Sequence, residues 1–157
     1  MKTQSKKLSP ALFGLTLICF CMPFVTISCQ EQKIMEFNGV QLATGTTIKQ
    51  PTFNGPAKEE KIAGNPLAGL AIVAGVVGLG TSFIKAKKAA VAPAGSGAAG
   101  SILLLMLKST LDNEIVKQGQ GLLLVNYGFG FWLAFLLFVA STIVNVYSVV
   151  QPSNDKS

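Results

Sequence analysis

The chain has 157 residues, of which 50% are hydrophobic and 13% charged, with a mean hydropathy of +0.50. These values exclude an intrinsically disordered tail and depart from soluble domains, in which about a quarter of residues carry charge. Four membrane spans of about 20 residues would use about 80 residues, so composition points to a small polytopic membrane protein with little chain left for a water-soluble catalytic domain.

The sequence contains neither histidine nor arginine, and lysine alone supplies the thirteen positive charges against seven acids, for a formal charge of +6. Such a basic balance raises nucleic acid as a partner. Here the lysines stand in short clusters beside apolar runs, which reads as membrane topology. Without arginine there is no bidentate guanine reader or planar phosphate fork. Without histidine there is no default general base or imidazole metal ligand. The expectation is a non-enzymatic protein with no cofactor, metal or nucleic-acid partner, whose surroundings are the lipid bilayer.

In chain order, a tail over residues 1–8 carries Lys2, Lys6 and Lys7. A first span is expected over 9–27, with Ser9 as cap and Pro10 at the first helical position. The same pattern of basic residues followed by an apolar run describes a secretory signal. The run is longer than a signal core, and Ser28-Cys29 fits the small-x-small cleavage pattern poorly, which favours a retained span. A lipoprotein-type cleavage before Cys29 is the competing reading, with Thr26 standing where leucine is usual.

Residues 28–65 form the one sizeable polar segment, in which Lys33, Lys49, Lys58 and Lys61 balance Glu31, Glu36, Glu59 and Glu60. Asn38-Gly39 suits a type I′ turn, so a small β-hairpin over 33–43 is one expectation; a short helix starting at Asn38 is the other. Pro51, Gly55 and Pro56 leave 45–64 with few anchors.

A second span is expected over 66–84, begun by Asn65-Pro66, then a turn over 85–88 with three lysines, then a third span over 89–107. So short a turn implies an antiparallel helical hairpin. Residues 108–121 form a second polar connection, whose part from Ser109 to Val116 reads as an amphipathic turn. A fourth span is expected over 122–150, about 43 Å if fully helical, before the tail 151–157. Lysines are dense before span one and between spans two and three, so the positive-inside rule places both termini in the cytoplasm. Tyr127 and Trp132 then mark the outer interface and Tyr147 the inner one.

The most specific signal is small residues spaced four apart, which let helix backbones approach in lipid. Span two carries Ala71 with Gly75 and Ala74 with Gly78; span three carries Gly95 with Ala99, and Gly97 and Gly100 in overlapping repeats. Packing of span two on span three follows. Cys29 stands alone at the outer surface; a partly buried free thiol is the ordinary reading, and lipidation and an intersubunit disulfide are the alternatives. No acid or lysine falls inside any of the four runs, which disfavours ion-coupled pumps and voltage sensors.

These features describe an all-α, four-span protein, a four-helix bundle of a bacterial inner membrane, that packs with itself or with other membrane proteins. The alternative is a small oligomeric channel or carrier whose third helix, broken from Pro93 to Gly100, lines the pathway.

Overall fold

The computed structural model describes residues 2–29, 32–50, 58–84, 91–118 and 123–150. The fold is mostly helical. Its elements are α1 (Lys2–Cys19), β1 (Pro23–Cys29), β2 (Gln32–Asn38), α2 (Gly39–Thr44), β3 (Gly45–Gln50), β4 (Lys58–Ala63), α3 (Pro66–Ser82), α4 (Val91–Gln118), β5 (Leu123–Tyr127) and α5 (Phe129–Val150). The 85–88 turn, the 151–157 tail and the end of the 108–121 connection lie outside the described residues.

The long helices do not keep the bounds of the spans expected over them. The first stops at Cys19 instead of continuing to residue 27, because Pro23 excludes the carbonyl four residues earlier from an α-helical turn, and Phe24-Val25-Thr26-Ile27 is a run suited to strand. It also begins before Ser9, so Pro10 is carried inside the helix and Ser9 is not a cap. Helix α4 does not end at Leu107: with no glycine or proline between Lys108 and Gln118, and with Leu107 and Leu111 both buried, the polar connection continues the same helix. Helix α5 starts at Phe129 rather than at residue 122. Residues 123–127 are strand, and Gly128 makes the corner, its N–H donating to the Phe24 carbonyl at 2.8 Å. The 22 residues of α5 extend about 33 Å, close to one hydrocarbon layer.

The Asn38-Gly39 hairpin turn is absent. Asn38 instead caps α2: its carboxamide oxygen accepts from the Gln41 N–H at 2.8 Å, while the Asn38 N–H donates to Gln41 Oε1 at 3.2 Å. This reciprocal capping box realises the short-helix expectation. Gly39 is required by proximity, since a Cβ there would lie 2.5 Å from Cδ1 of Phe20.

Strand content exceeds the one small hairpin expected. Strands β2, β1 and β5 form an antiparallel sheet in that order, and β3 pairs with β4 in a separate ladder. In the larger sheet Val25 and Ile27 stand opposite Phe37 and Met35 on one side and Tyr127 and Val125 on the other, which makes an apolar face that joins the core. Thr26 and Ser28 stand opposite Glu36 and Lys33, and opposite Asn126 and Leu124, on the other face. A register shift between Ile27 and Ser28 accommodates Ile34 as an extra residue. It turns Lys33 onto the polar face that Glu36 already occupies, and a bulge with a lysine on an edge strand also discourages pairing with another chain.

Helix α1 packs on α3 and α5, and α4 packs on α3 and α5. At their centre Phe13 and Phe138 meet edge to face, with ring centroids 6.3 Å apart. Phe20, Phe24 and Phe131 continue the aromatic core toward the sheet. Among the described residues, two stretches are long and apolar enough to cross a membrane, Val91–Ile115 and Phe129–Val150. Leu8–Cys19 and Pro66–Ser82 are apolar but shorter, so by length the helices give two candidate spans where the sequence suggested four.

Candidate functional site

The small residues of α3 and α4 make different contacts, and their positions around each helix explain why. Ala71, Gly75 and Gly78 recur along the buried side of α3. A Cβ on Gly78 would strike the Phe13 ring and the Ser96 hydroxyl, and one on Gly75 would come within 3.0 Å of Leu17. Gly78 is therefore the point where α1, α3 and α4 close on one another. The Ser96 hydroxyl donates to the Ala74 carbonyl at 3.0 Å, a direct polar tie from α4 to α3.

On α4, Gly97 and Gly100 face α5. A Cβ on Gly97 would lie 2.6 Å from Thr142 Oγ1, and one on Gly100 would lie 2.5 Å from the Phe138 ring. Gly95 and Ala99 are exposed, and a Cβ on Gly95 would meet none of the described residues within 4 Å. The break expected from Pro93 to Gly100 is absent, because α4 runs unbroken through that segment. Pro93 occupies the first turn, where no intrahelical partner for its nitrogen is needed.

Two polar groupings tie the elements together. At one end of the helices the Ser9 hydroxyl lies 2.9 Å from the Ser82 hydroxyl and 3.1 Å from Asn145 Oδ1. Asn145 Nδ2 also donates to the Ser141 carbonyl at 2.7 Å, and Ser82 donates to the Gly78 carbonyl at 2.6 Å. Ser9 and Asn145 are both buried, so this clasp joins α1, α3 and α5 through uncharged groups. The neighbouring Ser141 hydroxyl is fully buried and has no hydrogen-bond partner among the described residues.

At the opposite end Lys108 and Asp112, one helical turn apart, form an ion pair at 2.8 Å. The Tyr127 hydroxyl donates to Asp112 Oδ1 at 2.6 Å and lies 3.0 Å from the Lys108 carbonyl. Lys108 Nζ sits 4.9 Å from the Tyr127 ring centroid. Burial, followed by the hydrogen bond to Asp112 and its negative charge, pushes the Tyr127 phenol well above its ordinary range. This clamp fixes β5 against the last turns of α4. Its sequence signal was the Lys108 and Asp112 spacing, which is that of a helical ion pair.

Among the cysteines, Cys19 is buried and Cys21 exposed, both with free thiols. Cys29 closes β1, paired through its backbone with Gln32 and Leu123; its side chain lies outside the described set. Among the described residues, no three of the cysteines and acids gather as they would around a metal ion. No family model matches the chain, and no curated protein matches it either.

Proposed function

We propose that the protein is a small integral membrane component without catalytic activity, a four-helix bundle that works by packing with itself or with other membrane proteins. The observation that carries this reading is the polarity of the helices. Ile18 on α1, Val73 on α3, Ile102 on α4 and Ile143 on α5 are each more than half exposed, while Ser9, Thr16 and Asn145 are buried and hydrogen-bonded. Polar groups inside and bulky apolar groups outside suit a lipid solvent, where each polar atom needs an internal partner and each outward apolar side chain meets acyl chains.

Helices α4 and α5 have spanning length, and packing argues for the same depth in α1 and α3. Helix α1 runs beside α5 from the Ser9–Asn145 contact to the contact of Cys19 with Gly130. The Ser9–Ser82 contact sets the last turn of α3 level with the first apolar turn of α1. Local thinning of the bilayer accommodates helices a few residues short of the usual length.

In this reading α1 is retained in the mature protein, since Phe13, Thr16, Cys19 and Phe20 are all in the core. The lysine distribution orients both termini inward in a bacterial inner membrane, with the sheet and the β3–β4 ladder outside. Extraction in a mild detergent, with determination of mass and co-purifying chains, tests the packing role: an oligomer or a defined complex supports it, and a monodisperse monomer with no partner contradicts it.

A further inference from the structure

We draw no further inference here: the strongest candidate, the bare outward face of α4 at Ala92, Gly95 and Ala99, is a stripe of small residues, and nothing in the structure shows what covers it.

Discussion

Ser9 and Asn145, 136 residues apart in the chain, meet through a buried hydroxyl and carboxamide, with Ser9 Oγ 3.1 Å from Oδ1 and 3.0 Å from Nδ2. The contact ties the start of the apolar part of α1 to the last turns of α5. Ser82 adds α3 to the same node. Hydrogen bonds between helices in lipid average about 0.6 kcal/mol and reach about 1.7 kcal/mol. Ser9→Ala and Asn145→Ala should each destabilise the folded protein, and the double variant should lose less than their sum, by about 0.5–1.7 kcal/mol. Reversible unfolding in mixed micelles measures this; strict additivity would show that the two side chains do not interact.

The glycines of α4 should divide sharply by direction. Gly100→Leu drives a side chain into the Phe138 ring, and overpacking of this kind costs about 1–3 kcal/mol or more. Gly95→Leu, on the open side of the same helix, should change stability by less than about 0.5 kcal/mol. Thermal melts of the two variants in one detergent compare them directly. Equal losses would mean that α4 is rotated from the orientation described.

Tyr127 gives a pH prediction of definite sign. Its folded-state pKa is raised above the unfolded value of about 10, so the native state holds the phenolic proton more tightly. The stability this contributes is full below about pH 10 and declines as pH rises through the folded-state pKa. The tyrosinate absorbance difference between the native protein and Tyr127→Phe isolates this residue. At about pH 11 it should remain un-ionised while the protein is folded and ionise on denaturation; ordinary titration in the folded protein would contradict the clamp.

Gly45 holds φ at +82°, and a Cβ there would lie 2.6 Å from the Ile62 carbonyl. Gly45→Ala should therefore strain the entry to β3 by about 1–3 kcal/mol. Hydrogen exchange is the suitable measurement: amides of β3 and β4 should exchange faster while those of α5 keep their protection. Unchanged exchange in both would count against the described path of the chain at Gly45.

The existence of the four long helices was legible because apolar runs separated by lysines are a composition signal that needs no tertiary context. Their ends were not, and each miss has a physical cause. Hydrophobicity does not distinguish a buried strand from a helix, so Phe24 to Ile27 and Leu123 to Val125 read as parts of the neighbouring spans. The information that separates them, Pro23 and Gly128, was present in the chain. Small-residue spacing points to packing of α3 on α4; a Cβ on Gly78 would strike Ser96 of α4, whereas one on Gly75 would meet Leu17 of α1 and Phe138 of α5. The spacing did not show that Gly97 and Gly100 face α5, since the partner of a helix face depends on the arrangement of the other helices. Ser9 looked like a cap because serine before proline commonly is one. Its actual role depends on Asn145, which only the fold brings near.

The proposed topology puts these helices in a membrane with the sheet and the β3–β4 ladder outside and the lysines at 85–88 inside. The direct measurement is cysteine labelling by a membrane-impermeant reagent on a background with Cys19, Cys21 and Cys29 replaced, with single cysteines introduced by Thr47→Cys and Lys87→Cys. Position 47, which is exposed on β3, should label in cells whose inner membrane is intact, and position 87 only after permeabilisation. Labelling of both positions in intact cells, or of position 87 alone, would contradict this topology.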